Sequence, residues 1–245
     1  MQKVKLLVVE INVLLTIYGV RGFIMSFDLI EKNAKSRGVE WLYHFTNASN
    51  LASILSVGLL SRRVLDALEV KYSSNDNSRV DRRLNTISCS IMWPNYKLLY
   101  KNKEIYNGEN YVILRINASL IWQKKCLFLP SNAASLMNVL TPNEEFVGAD
   151  AFENMFTDKC ANILRTGKTR AFWPTDPQAE VLVEQNIPLQ YIEGVICENE
   201  DTVNKLKQKF PEHHNLFSCR DSYLFRGRTD WYEQKKLKEA LSDGN

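Results

Sequence analysis

Trp173-Pro174-Thr175-Asp176-Pro177-Gln178-Ala179-Glu180-Val181-Leu182-Val183 holds a turn and a strand in direct succession. The two prolines and Asp176 punctuate the chain, and the apolar run that follows reads as a short buried strand. One carboxylate stands among its first residues. Burying an ionised glutamate is costly unless something binds it. Such a cost is tolerated chiefly where chemistry requires it, which makes Glu180 the first candidate for a catalytic residue. The plainer alternative is a glutamate at the strand's start with its head in water.

Working outward, apolar residues are spread along all 245 positions, and no stretch rich in Gly, Ser or Pro divides them. A single domain over residues 25–245 is expected, long enough to bury a substantial core. Residues 1–24 read as an N-terminal extension outside the native start. Glu10 and Asn12 interrupt the run Leu6-Leu7-Val8-Val9, so the segment is too short and broken to span a bilayer. Met25 opens a more conventional beginning, Met25-Ser26-Phe27-Asp28-Leu29-Ile30-Glu31.

Five cysteines are widely separated and form no Cys-x-x-Cys pair, and none of the three histidines lies at metal-ligand spacing from one. The pattern argues against a disulfide framework and against a metal site, and it fits a reducing cytoplasm. Net charge is only +3, but Arg62 and Arg63, then Arg79, Arg82 and Arg83, cluster in the first half. Arg220, Arg226, Arg228, Lys235, Lys236 and Lys238 make the C-terminal end basic. Such patches bind phosphates or are merely solvated faces.

Hydrophobic spacing predicts a helix over 26–37 and a strand over 41–46. A helix through Leu51, Ile54 and Leu55 follows, capped by Asn47 or Ser49 and ended by Gly58. Residues 73–83 read as loop. Strands are expected at 86–91, 111–116, 179–184, 191–197 and 216–219. Residues 94–100 read as helix or turn, a helix is expected around Phe152, and Asp201 is the expected cap of a helix reaching Phe210. Strand clusters without regular crossover helices indicate an α+β fold rather than a doubly wound sheet. No Walker loop, Gly-x-Gly-x-x-Gly fingerprint or Gly-x-Ser-x-Gly elbow is present, so single residues on strands and loops must carry any chemistry.

One ordered set of motifs spans roughly residues 40–220. It begins with Leu42-Tyr43-His44-Phe45-Thr46 and Asn50-Leu51-x-x-Ile54-Leu55-x-x-Gly58-Leu59. It continues through Arg82-Arg83, Pro94-Asn95-Tyr96-Lys97-Leu98-Leu99-Tyr100 and Asn132-Ala133-Ala134, and is strongest at Asp176 to Val183. This set resembles the DarT family of ADP-ribosyltransferases, which act on nucleic-acid bases. The resemblance implies an ADP-ribosyltransferase-like split, mixed β core with an NAD cleft and peripheral helices. Glu180 would be the catalytic glutamate. Arg82 would be the catalytic arginine near the diphosphate, with Arg83 or Arg79 as alternatives. His44 would contact the ribose beside nicotinamide, with Tyr43, Thr46, Arg83 and Leu99 also around the NAD. Gln178 would contact the acceptor, and residues 166–178 would form the substrate-reading loop, with Trp173, Arg115 and Arg170 also on the substrate side. The segment Ile91-Met92-Trp93-Pro94-Asn95-Tyr96 departs from the family's aromatic-rich loop, which leaves the acceptor base open.

The chemistry is coherent with that carry-over. Breaking the nicotinamide–ribose bond develops positive charge on the sugar, which a carboxylate stabilises. An arginine fork suits a diphosphate, and no metal is required. A single-stranded base reaches such a pocket without the cost of unpairing. Trp173, Trp93 and Tyr96 either stack on bases or pack in the core; Tyr96 reads as core. Arg115 either binds phosphate or pairs with a structural acid. The resemblance thus implies a cytoplasmic, NAD-consuming toxin that marks single-stranded DNA at thymine or, alternatively, an RNA base. By the same resemblance its partner would be a cognate antitoxin, and its setting phage defence. Rival readings are a protein-modifying ADP-ribosyltransferase and a non-catalytic nucleic-acid-binding module.

Overall fold

Strand β3 (Tyr111–Asn117) shows why this sheet has two covered faces: Val112, Ile113, Leu114 and Ile116 are all fully buried, with no polar alternation among them. The structure is a computed structural model and describes residues 26–74, 81–105, 111–230 and 233–236. The extension over 1–24, the start at Met25, and Arg79 and Lys238 lie outside the described residues.

The other strands are β1 (Trp41–Asn47), β2 (Thr86–Ile91), β4 (Cys126–Leu129), β5 (Lys159–Cys160), β6 (Ile163–Leu164), β7 (Glu180–Glu184), β8 (Ile192–Ile196) and β9 (Phe217–Ser218). Seven form one sheet in the order β4-β7-β2-β1-β3-β8-β9, while β5 and β6 make a separate hairpin. Every pairing in the large sheet is antiparallel except β8 with β9. The α+β expectation holds, with a mixed, mostly antiparallel sheet at the centre.

Pairing along β1 is uneven. All seven of its residues pair with β3, from Trp41↔Asn117 to Asn47↔Tyr111. Toward β2 the register holds only at Leu42↔Ile91 and Tyr43↔Ser90. The opposite half of β2, Thr86 to Cys89, pairs with β7 instead. The sheet is therefore split between β1 and β2.

Helix α1 covers residues 26–37 and buries Ile30 and Ala34 at helical spacing. Asn47 caps a single 3-10 turn by accepting the Ser49 N–H, and α2 (Leu51–Val57) follows it. Gly58 ends α2 with φ +83°, where a Cβ would meet the Ile187 carbonyl oxygen at 2.4 Å, so only glycine fits. Then come α3 (Arg62–Ala67), α4 (Tyr96–Ile105), α5 (Leu136–Leu140), α6 (Ala149–Asn154) and α7 (Glu200–Lys209). The cap of α7 is Asn199, whose side chain accepts the Thr202 N–H, and not Asp201. Asp201 sits in the first turn, where its charge complements the helix dipole.

Strand β4, helices α3 and α5 and the β5–β6 hairpin were not expected from the sequence. Cys89 of β2 and Cys126 of β4 are buried, and loss of hydration pushes both thiols well above their ordinary range. Among the described residues no helix is long and apolar enough to cross a membrane.

Candidate active site

The split between β1 and β2 opens into a cleft of about 570 Å³, a size typical of small-molecule sites. His44 stands where the β1–β2 ladder has ended. Its Nδ1 lies 2.8 Å from the Ser88 carbonyl oxygen, so the ring takes up a backbone acceptor that the missing ladder leaves over. A carbonyl only accepts, so Nδ1 carries the proton. In the neutral ring Nε2 is then the acceptor nitrogen.

Glu180 begins β7 and is 7% exposed. The Ala133 N–H donates to its Oε1 at 3.0 Å, and the Ser88 hydroxyl donates to its Oε2. Ser88 thus touches both candidate residues, giving its carbonyl to His44 and its hydroxyl to Glu180. Two fixed donors hold the carboxylate in one orientation. Both side chains line the cleft.

The opposite wall is clasped by Asn50. Its Nδ2 donates to Thr46 Oγ1 at 2.9 Å and to the Ser73 carbonyl at 2.8 Å, and its Oδ1 accepts the Ser73 N–H at 2.8 Å. These bonds tie residues 70–74 to the start of α2. Arg62, which donates to Ser74 Oγ, and exposed Lys71 bring positive charge to this wall, and Asp81 lies on the same cleft.

The remaining sequence candidates fall into distinct places. Tyr43 and Thr46 line the cleft, and burial raises the Tyr43 hydroxyl beyond its ordinary range, with Tyr223 and Asp221 adding to the effect. Leu99 is fully buried on the inner face of α4, and its neighbour Leu98 is the one on the cleft wall. Arg82 is exposed, with φ +55°, and is not among the lining residues. Arg83 donates to Asn143 Oδ1 and to the Asn138 carbonyl, and lies over the Phe146 ring. Those contacts make it a brace for α5 and the turn after it.

Arg115 reaches Asp221 at 3.3 Å and covers Trp41, so the structural acid suspected from the sequence is present. Arg170 is exposed on its loop. Gln178 is half-buried, its N–H bonded to Asp176 Oδ1 at 2.8 Å, two residues before Glu180. Trp173 is buried, edge-on to Trp93 at 5.5 Å and to Phe172 at 5.7 Å, with Arg228 over its ring. Its ring is a packing surface and has no open face for a base. Tyr96 is likewise buried. Ser88, Asn50, Arg62 and Lys71 gained no site role from the sequence. Their only signals were the Asn50 in the motif after β1 and the Arg62-Arg63 pair.

A family sequence model described as "ssDNA thymidine ADP-ribosyltransferase, DarT" matches residues 43–232. Among solved structures, Thermosipho africanus DarTG in complex with ADP-ribose aligns with a TM-score of 0.52 at 18% identity, over 76% of this chain and 50% of that one. This chain therefore spans about half the length of that relative, and the likeness shows a common fold. Thermus sp. 2.9 DarT in complex with ADP-ribosylated ssDNA aligns at 17% identity with a TM-score of 0.49, over 76% of this chain and 96% of that one. The same Thermus protein in complex with NAD+ aligns at 18% identity with a TM-score of 0.44, over 71% and 89% of the two chains. No curated protein matches the sequence.

Proposed function

This chain belongs to the DarT family of ssDNA thymidine ADP-ribosyltransferases, and from that premise we propose that it transfers ADP-ribose from NAD to a thymine base of single-stranded DNA. The observation that carries the proposal is the pairing of Glu180 and His44 through Ser88 at the split of the sheet. A buried carboxylate with fixed donors, facing a cleft of dinucleotide size, is suited to a developing sugar cation.

In this reading NAD lies along the split. His44 Nε2 accepts a hydroxyl of the nicotinamide ribose, and Glu180 accepts a second one. Arg62 and Lys71 face the diphosphate; the geometry favours Arg62 over the exposed Arg82 for this role. The C1′–nitrogen bond breaks and its electron pair leaves with nicotinamide, which departs neutral. A lone pair on the acceptor nitrogen closes the new bond to C1′, and the acceptor's proton is released. Glu180 stabilises charge that exists only near the transition state, and a preset carboxylate does so without reorganisation. The acceptor enters unpaired, which spares the cost of opening a duplex.

The biological setting we propose is that of a toxin paired with a cognate antitoxin, working in the cytoplasm against phage. To test the activity, the protein is incubated with labelled NAD and separate pools of single-stranded DNA, RNA and protein, and the nucleosides are examined by mass spectrometry. ADP-ribosylated thymidine from the DNA pool is the expected product. Label on RNA alone or on protein alone replaces the proposed acceptor, and no label anywhere overturns the proposal.

A further inference from the structure

The loop over residues 165–178 leads from the β5–β6 hairpin to the strand carrying Glu180, and it is bound from two directions. From within, Arg165 Nη1 donates to the Trp173 carbonyl at 2.9 Å and Nη2 to the Arg170 carbonyl at 2.8 Å. From outside, Arg228, Asp230 and Gln234 reach it. Arg228 and Asp230 are 2% and 0% exposed and form a two-pronged ion pair, Nε to Oδ1 at 3.0 Å and Nη2 to Oδ2 at 2.6 Å. The remaining groups of that pair reach the loop. Arg228 Nη1 donates to the Pro174 carbonyl at 2.8 Å, and the Thr169 hydroxyl donates to Asp230 Oδ2 at 2.8 Å. Gln234, also buried, donates through Nε2 to the Thr175 carbonyl at 3.1 Å.

A buried ion pair is a poor source of stability, since well-packed apolar residues of similar size do as well or better. What it supplies is direction: fixed donors and acceptors that hold particular loop atoms in one place. Every loop group bound by Arg228, Asp230 and Gln234 lies between Thr169 and Thr175, just ahead of Gln178. None of these three residues lines the NAD cleft.

We infer that Arg228, Asp230 and Gln234 form a positioning clamp for the acceptor. They fix the loop that delivers Gln178 to the mouth beside Glu180, and so govern how DNA is presented rather than how NAD binds. This rests on the reading of the site as a base-modifying ADP-ribosyltransferase. Because removing Arg228 or Asp230 strands a buried charge, the test uses gentler changes: Thr169→Val and Gln234→Leu, with Thr169→Ser as the conservative control.

Steady-state transfer to oligothymidylate is measured for each variant, with separate KM values for DNA and NAD, alongside thermal melting and hydrogen exchange. The expected result is a DNA KM raised about fivefold in T169V and Q234L, the size of one lost hydrogen bond. The NAD KM stays within about twofold, and T169S restores the DNA KM, because its hydroxyl still reaches Asp230. Equal rises in both KM values, or a lowered melting point with no KM change, would overturn the clamp. Wild-type protein that modifies no oligonucleotide would overturn the reading of the site instead, and hydrogen exchange then decides the clamp alone. Faster exchange confined to residues 166–178 in T169V supports it, and unchanged exchange there rejects it.

Discussion

Strand β1 meets its two neighbours in opposite ways. Toward β3 it pairs along its whole length, against a strand whose apolar residues are fully buried. Toward β2 it keeps two pairs and then leaves a gap, filled by His44, Ser88 and Glu180. One strand thus carries the best-satisfied seam of the sheet on one edge and the candidate active site on the other. The His44 ring takes up the Ser88 carbonyl in place of a backbone ladder bond, and the Ser88 hydroxyl goes to Glu180.

The comparison is sharpest at Glu180. Gln fits the same space and keeps an acceptor for the Ala133 N–H, so Glu180→Gln retains the fold. It is expected to lower the rate of transfer about a thousandfold, as removal of one preorganised electrostatic group does. NAD affinity, measured by calorimetry, changes little. On the tight seam the opposite pattern is expected. Ile116→Ala creates a cavity beside its cross-strand partner Leu42 and should cost about 2–5 kcal/mol in urea unfolding, while turnover per folded molecule stays near wild type. Large loss of turnover with small loss of stability in I116A would erase the distinction between the two edges.

Two smaller effects refine the open edge. Arg62→Ala should raise the KM for NAD about tenfold, the scale of a charge-assisted hydrogen bond, whereas Arg82→Ala should leave it within about twofold. The reverse order would return the diphosphate role to Arg82. Asn50→Leu releases residues 70–74 from α2 and should raise the same KM about fivefold, with thermal stability nearly unchanged. An NAD KM insensitive to Asn50 would show that the clasp does not shape the cleft.

Strands and the α+β class were legible where apolar residues dominate a run, as at Val112 to Ile116 and Val181 to Val183. Strand β4 was missed because Cys126 to Leu129 is only four residues long and buried on both faces, so it shows no alternation. Glu180 stood out because a carboxylate beside Val-Leu-Val has few structural reasons to exist. Ser88 did not, because its importance lies in touching two residues distant from it in the chain, which spacing cannot reveal. Arg62 and Arg82 look alike as members of basic clusters; only the fold distinguishes one on the cleft wall from one in solvent. Trp173 beside a proline resembled an exposed loop aromatic, yet Trp93 and Arg228, remote in sequence, enclose it.

The thiol of Cys89 has a practical use. It is 1% exposed, and burial first, then the nearby Cys126 and Glu180, push its thiol well above the ordinary range. Alkylating reagents need an accessible thiolate, and the buried Cys89 offers one only when the strands part. Labelling at position 89 therefore clocks breathing of the molecule's interior, one residue along β2 from Ser88 of the candidate active site. It needs no engineered probe and no change to Glu180, His44 or Ser88.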